Sequence, residues 1–555
     1  MNLFLANKEA RKTNKMISSI KQTLFGIIAC GFVGNVMSSV PSEGNHYYVD
    51  ANSGKDSNPG TSPKAAWKSL DVVNGHTFRP GESIYFKTGC KWEGQLHPKG
   101  SGTPDQPIII DQYGTGSQPV IDALGATGNG AVYLKNQEYW EICNLNITND
   151  AAQKGDRRGI YLMASSGSKS VFRHLVVRNC TIHHIKGIAS ATGNAAKRTA
   201  GILLEIINEG SSRARFDDVC IEDCEISTID NIGIALNSVI SEPPKAPIVA
   251  DKKNVNSEFV EAGDQETKDY PGTPDWESRK FTHVVIRKNR VHDIAKNAMI
   301  IRFTDETGLI EHNVCWDTAG RGKSGNTIFS RSCRGTIFQY NEGYLNHAID
   351  HDGSLYDADL ASPGCIFQYS YSHDNNEGLF WQCTDWRDDH VIVRYNISQN
   401  DKGKIFCMNY PCSGCSVYNN TVYIGPDCSP TIISERRIKT KTRRYSFSNN
   451  IIYNLSHSAR YEWFNAARTF DSNLFFGQHP ADEPKDRHQL TCDPLLENPG
   501  SGRLGLGTLN GYLLKKDSPC INSGVIIAEN GGMDLWRHIV PQDLPPDRGA
   551  NQYSK

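Results

Sequence analysis

The chain has 555 residues, a formal net charge of -2 and 22% charged residues. That balance gives no electrostatic reason to bind nucleic acid or an anionic membrane surface, which excludes both as principal partners. The length exceeds an ordinary domain, but 49 glycines and many Asn-rich turns suit one repetitive β-fold that absorbs most of it.

Residues 1–40 read as an export segment. Lys8, Arg11, Lys12, Lys15 and Lys21 precede an apolar run from Leu24 to Val40. Gly26, Gly31, Gly34 and Asn35 make that run too weak for a permanent membrane span. Ile27-Ile28-Ala29-Cys30 has the form of a lipoprotein cleavage box, with Cys30 as a lipid anchor, and ordinary cleavage near Ser38 or Ser39 is the alternative. The expected location is the periplasm or the outer membrane surface.

Residues 45–130 read as an N-terminal cap and first strands. Tyr47–Val49 is a first strand, and the Asp50–Gly60 block is turn chemistry dense in Asx and Gly. The block mimics part of a calcium loop but lacks the closing Glu. Ser62 as N-cap and Pro63 at the first helical position open a short helix through Trp67 and Leu70. Strands at Ser83–Lys87 and Pro107–Asp111 follow, and a solenoid needs such a cap over its first coil.

From about residue 131 to 490 one phrase recurs, an Asn or Asp between a β-rich run and a polar turn. It reads Arg178-Asn179-Cys180, Glu222-Asp223-Cys224, Lys288-Asn289, His312-Asn313, Tyr340-Asn341, Tyr395-Asn396, Asn419-Asn420 and Asn449-Asn450. From Asn289 the steps are 24, 28, 55, 24 and 30 residues, and Tyr369-Ser370 falls inside the long one. Such a period, built of short strands without helical periodicity, predicts an all-β, right-handed parallel β-helix, a stacked solenoid. Residues 241–280 break the rhythm with Pro243, Pro244, Pro247, Pro271 and Pro274, and read as an insertion loop beside the groove. Residues 491–555 read as a C-terminal extension packing on the last coils. The 16 cysteines sit largely at strand ends, as small buried hydrophobes rather than a disulfide framework. Cys412 and Cys415 have the spacing of a metal pair, but no second pair follows.

The segment Asp350-His351-Asp352-Gly353-Ser354-Leu355-Tyr356-Asp357-Ala358-Asp359 holds more carboxylates than a solvated turn needs. In a strand-like register Ile349 and His351 share one face, and Asp350 and Asp352 point outward. Asp357 and Asp359 repeat the i, i+2 relation beyond the bend. Arg302 and Arg331 end earlier strands and line up beside the acids if coils stack about 4.8 Å apart. The next coil brings His373 and Glu377, and Trp381 and Trp386 read as a sugar platform or as packing. Two carboxyls facing one sugar linkage are what glycoside cleavage requires, and crowding separates their proton affinities. The residues alone leave three readings open: catalysis, a calcium or arginine-paired acidic site, and a solvated turn. His373 is equally open between a structural hydrogen-bond corner and a sugar contact.

Asp352-Gly-Ser-Leu-Tyr-Asp357-Ala-Asp359, followed by Gln368-Tyr-Ser-Tyr-Ser-His373-Asp374-Asn375, resembles a pattern in secreted right-handed parallel β-helix glycosidases. The Tyr47–Gly60 block and the Asp547-Arg-Gly tail look like the same group, so the resemblance spans most of the mature chain. It is nearest to the lacto-N-biosidase-like and α-L-fucosidase/xylanase-like enzymes. The resemblance implies two Asp residues seven apart as nucleophile and acid/base, here Asp352 and Asp359, with Asp350 and Asp357 at the same spacing. Tyr356 and Ser370 depart from the pattern, which has Phe and Asn there.

The expected activity is therefore hydrolysis of glycosidic bonds in a complex oligo- or polysaccharide by paired aspartates. Arg302, Arg331, His373, Glu377 and Trp381 are expected to line the site. No organic cofactor is implied and calcium is an option; a monomer is expected. The rivals are a polysaccharide lyase or uronate epimerase on the same helix, and a noncatalytic glycan-binding surface protein.

Overall fold

The computed structural model describes residues 45–554 apart from 168, 190–197, 242–268, 351, 384–389, 410–413, 436–443 and 465. Its strands run parallel in three long sheets of 14, 13 and 11 strands among the described residues. The first sheet runs from His46–Val49 to Ala467–Asp471, the second from Lys91–Glu93 to Leu474–Gly477, and the third from Gly130–Lys135 to Arg460–Glu462. Successive coils add one strand to each sheet, which is the predicted parallel β-helix.

The repeated phrase is the turn between the first and second sheets. Lys288, His312, Tyr340, Tyr369, Tyr395, Asn419 and Asn449 all adopt the left-handed conformation, with φ between 51° and 56°. The residue after each is buried and hydrogen-bonds to its counterpart one coil on. Asn289 Nδ2 donates to Asn313 Oδ1, Asn313 to Asn341, Asn396 to Asn420 and Asn420 to Asn450, each at 3.0 Å. The ladder satisfies turn groups that would otherwise be buried without partners, and so offsets the strain of the left-handed residues. In the first two copies the phrase is displaced by one residue. Asn179 and Asp223 take the left-handed position, while Cys180 and Cys224 stand in the ladder. Cys224 N–H still donates to Asn289 Oδ1 at 3.1 Å. All 14 described cysteines are free thiols, most of them buried.

Inward positions stack by type. Ile147, Ile182, Ile226, Val291 and Cys315 form one register row of the second sheet, all fully buried. Each such aliphatic side chain contributes about 1.5–3 kcal/mol of burial. The row then turns polar through Ser372 and Ser398, whose hydroxyls donate to Asp401 Oδ2 at 2.7 Å. Burial pushes the Asp401 carboxyl up to about 6.

One local expectation needs correction at the N-terminus. The helix after Ser62 is two pieces, a 3₁₀ turn at Pro63–Ala65 and a helix at Leu70–Gly75, and Ser62 makes no side-chain cap. Trp67 lies between them because its ring stacks on Tyr47 and its backbone bridges to Val49. The first strands expected within 45–130 belong to the first two sheets, and the third sheet starts at Gly130. The Asp50 block is an Asx turn. Asp50 Oδ1 accepts from Asn52 and Ser53 N–H, and Lys87 Nζ holds Oδ2 at 2.6 Å.

The C-terminal extension lies along the turns between the first and second sheets. Gly549 N–H donates to Asn449 O at 2.7 Å and Arg548 Nη1 to Asn473 O at 2.9 Å. It also reaches the outer face of the second sheet, where Gly505 N–H meets Glu342 Oε1 at 2.8 Å and Tyr512 Oη meets Gln399 Oε1 at 2.7 Å.

Candidate active site

The acids sit on the outer face of the third sheet. Strand Tyr356–Ala358 lies between Ile328–Arg331 and Phe380–Gln382, with Phe329, Asp357 and Trp381 in one register row. Tyr356 and Ala358 belong to the core, so alternation sends Asp357 and then Asp359 outward. Asp357 is 3% exposed, and its Oδ2 accepts from Asn326 Nδ2 at 2.7 Å. Asp359 is more open and its Oδ2 accepts from Arg331 Nη1 at 3.3 Å.

The segment before this strand is a turn, not the strand-like run expected from Ile349. Ile349 is 76% exposed and Asp350 is exposed beside it. Asp352 is left-handed with φ 59°, partly buried, and its carbonyl accepts from Gly325 N–H at 2.5 Å. Gly353 is required by close approach, because a Cβ there would lie 2.6 Å from Ala348 Cβ. Position 351 lies outside the described residues.

Three of the four predicted acids place their charge near one thiol. Cys383 follows strand Phe380–Gln382 and is buried, with Trp381 Nε1 at 2.7 Å and Asn409 Nδ2 at 3.2 Å from Sγ. Burial first, and then the charges of Asp357, Asp359 and Asp352, push this thiol far above its usual range. The site thus has Asp357 and Asp359 on the outward side of one strand and Asp352 in the turn before it, near the buried Trp381, Cys383 and Cys407. Grouped like charges are what glycoside cleavage exploits.

The other predicted residues divide. Arg302 and Arg331 pair in register in adjacent coils. Arg302 Nη1 donates to Asn237 Oδ1 at 2.6 Å, and burial followed by the Arg331 charge pulls the Arg302 guanidinium down to about 10. Glu377 reaches the site's margin but its carboxylate is held by Lys404, through N–H at 2.9 Å and Nζ at 3.1 Å. Trp381 is fully buried and so presents no platform to a sugar; Lys404 Nζ stands 5.6 Å from its ring centroid. Trp386 and Cys412 lie outside the described residues, as does most of the 241–280 insertion. His373 is on the second sheet, in register with Tyr344 and Gln399 rather than with the acids. Its ring stacks on Tyr344 and Tyr371, and Glu342 and Asp374 hold its nitrogens at 3.3 and 2.8 Å. That makes it a structural corner.

Asn326, Lys404, Cys383 and Asn409 complete the site and were not singled out in the sequence. Asn326 is 31 residues from Asp357, and only the stacking of coils brings the two together. Among the described residues no group of three or more His, Cys, Asp or Glu is disposed to hold a metal ion. A cavity of about 440 Å³ lies elsewhere, on the first sheet, among His390, Ser416, Arg444, Ser446, Arg468 and Thr469. Its lining has no carboxylate, whereas the acids stand on the third sheet.

No family model matches the chain. It is similar to a lacto-N-biosidase of Bifidobacterium longum subsp. longum, at 26% identity over 93% of the chain, and spans 37% of that protein's length. Among solved structures, the GH136 lacto-N-biosidase from Eubacterium ramulus superposes with a TM-score of 0.57 at 21% identity, over 76% of this chain and 68% of that one. XylC in complex with xylose superposes with a TM-score of 0.50 at 12% identity, over 92% and 98%. The parallel β-helix and the resemblance to glycosidases of this fold are therefore borne out.

Proposed function

We propose that the protein is an exported glycoside hydrolase acting on oligosaccharides, with Asp352 and Asp359 as its carboxyl pair. The observation that carries this is that Asp357 and Asp359 leave strand Tyr356–Ala358 on its outward side, with Asp352 in the turn that precedes it. The similarity to a lacto-N-biosidase along most of the chain supports the same reaction class.

Accessibility selects the pair. Asp357 is nearly closed off and tied to Asn326, whereas Asp352 and Asp359 are partly open to a substrate. Asp359, facing the Arg331 cation, is the carboxylate that attacks the anomeric carbon or draws a proton from the attacking water. Asp352 gives its proton to the departing glycosidic oxygen as the C–O bond breaks. If Asp359 attacks carbon, water then breaks the glycosyl–Asp359 ester, its hydroxyl ending on the anomeric carbon and its proton returning to Asp352. If Asp359 activates water, the proton stays on Asp359 and is released to solvent, while Asp352 takes a new one from solvent. Asp357 adds negative charge near the developing oxocarbenium ion.

The test is digestion of an oligosaccharide panel that includes lacto-N-biose-capped glycans, with each Asp→Asn variant in parallel. Reducing ends without unsaturated-uronate absorbance, lost in Asp352→Asn and Asp359→Asn, are expected. Unsaturated-uronate absorbance would make the protein a lyase and sink the reading.

A further inference from the structure

The outer face of the third sheet carries a row of buried polar side chains that ends at the acids. Glu205 and Asn237 are partners in register, as are Arg302 and Arg331 further along. Tyr161 Oη donates to Glu205 Oε2 at 2.6 Å, Asn237 Nδ2 donates to Glu205 Oε1 at 3.2 Å, and Arg302 Nη1 closes onto Asn237 Oδ1. Arg198 adds an ion pair to Glu205 at 3.3 Å. Glu205, Asn237 and Arg302 are 2%, 2% and 6% exposed.

Such a row is costly to bury and is not needed for packing. The adjacent row on the same face, Leu203, Ala235, Ile300 and Phe329, is apolar and packs as one cluster. Buried charges give little net stability over apolar residues of similar volume, so the polar row calls for another reason. Its end supplies one. Arg302 and Arg331 stand on strands about 4.8 Å apart, and like charges at that spacing repel. Asn237 holds Arg302 from behind, so the repulsion acts on Arg331 and directs it toward Asp359.

We propose that Arg302 is a positioning residue for the reaction: anchored through Asn237 to Glu205, it holds Arg331 against Asp359 and adds a second positive charge behind that carboxylate. This rests on the hydrolase reading in which Asp359 acts as the charged carboxylate. It replaces the sequence-based expectation that Arg302 binds substrate, since its guanidinium is buried and tied to Asn237. Burial, Arg331 and Arg279 oppose the charge of this guanidinium, and Asp269 and, more weakly, Asp359 favour it.

The experiment compares wild type with Arg302→Met, Arg302→Lys and Asn237→Leu. Two readouts are taken, the pH profile of kcat and KM and an infrared titration of the Asp359 carboxyl, identified by difference against Asp359→Asn. In Arg302→Met the acid limb and the carboxyl titration are expected to rise by about one pH unit. The same variant should lose about tenfold or more in kcat with little change in KM. Arg302→Lys should restore the limb, and Asn237→Leu should give a smaller shift in the same direction. A raised KM with unchanged kcat and titration would make Arg302 a substrate contact, and a lowered Tm with an unmoved titration would make it purely structural; either overturns the proposal. Absence of hydrolysis by wild type would sink the hydrolase reading alone, because the infrared titration needs no turnover and still decides whether Arg302 acts on Asp359.

Discussion

Tyr356 Oη lies 2.7 Å from Ser370 Oγ, and the same hydroxyl accepts from Asn341 Nδ2 at 3.0 Å. Ser370 occupies the ladder position that Asn fills in the coils on either side, and it still receives Asn341 N–H at 3.2 Å. The shorter side chain leaves a gap, and the Tyr356 hydroxyl fills it from the next sheet. Tyr356 and Ser370 are the two positions at which the acidic phrase departs from the glycosidase pattern it resembles, so the departures compensate each other. Tyr356→Phe should cost about 1–2 kcal/mol by removing two buried hydrogen bonds. Ser370→Asn should cost about 1–3 kcal/mol by driving an amide into the phenol. The double variant should lie closer to wild type than the sum, with a coupling of about 1–2 kcal/mol in denaturant unfolding. Strict additivity would refute the compensation.

His373 should matter to stability and not to turnover. Its imidazole is raised to about 9, by the Asp374 and Glu342 carboxylates overcoming the burial that lowers it. The folded value lies above the unfolded one near 6.5, so the stabilisation is complete below about pH 6.5 and is lost as pH rises through about 9. The stability gap between wild type and His373→Gln should therefore be widest near pH 6 and shrink by pH 10. A gap that stays constant with pH, or a variant with normal stability and lost activity, would return His373 to the active site.

Trp381 offers the opposite contrast, a residue beside the acids whose burial makes it a packing element. Trp381→Ala should cost about 3–5 kcal/mol, as large truncations in cores do. Trp381→Phe should keep KM within about twofold, because no substrate face is removed, although the hydrogen bond to Cys383 is lost. A large rise in KM for the Phe variant, with Tm unchanged, would show instead that a sugar reaches the indole.

The repeat made the fold legible because a ladder needs the same residue at the same turn of each coil, and that constraint is written in the chain as Asn289, Asn313, Asn341, Asn396, Asn420 and Asn450. It was misread by one residue where Cys180 and Cys224 stand in for Asn, since the visible Asn179 and Asp223 mark the left-handed turn instead. Within the site, the i, i+2 relation of Asp357 and Asp359 was legible because strand alternation is local. The contact of Asn326 with Asp357 was not, because it depends on which coil lies above, and coil lengths vary. His373 was drawn to the acids by nearness in sequence, whereas successive strands of one coil face different directions.

The ladder also predicts how the turns respond to charge. Asn420 Oδ1 accepts from both N–H and Nδ2 of Asn396, and Asn420 Nδ2 donates to Val393 O and Asn450 Oδ1, all at 3.0 Å. Asn420→Ala strands two buried donors of Asn396 and should cost about 2–4 kcal/mol. Asn420→Asp keeps the acceptor but, once ionised, sets a charge against Val393 O and Asn450 Oδ1. Asp401 shows what such burial does, its carboxyl standing at about 6 even with four donated hydrogen bonds. An acid raised on folding binds its proton more tightly in the native state, so stability falls as pH rises from the unfolded value near 4 through the folded one. Asn420→Asp should therefore be close to wild type near pH 4 and lose several degrees of Tm relative to it by pH 8. Equal losses at both pH values would mean that the amide is a spacer and that its hydrogen bonds do not hold the coils in register.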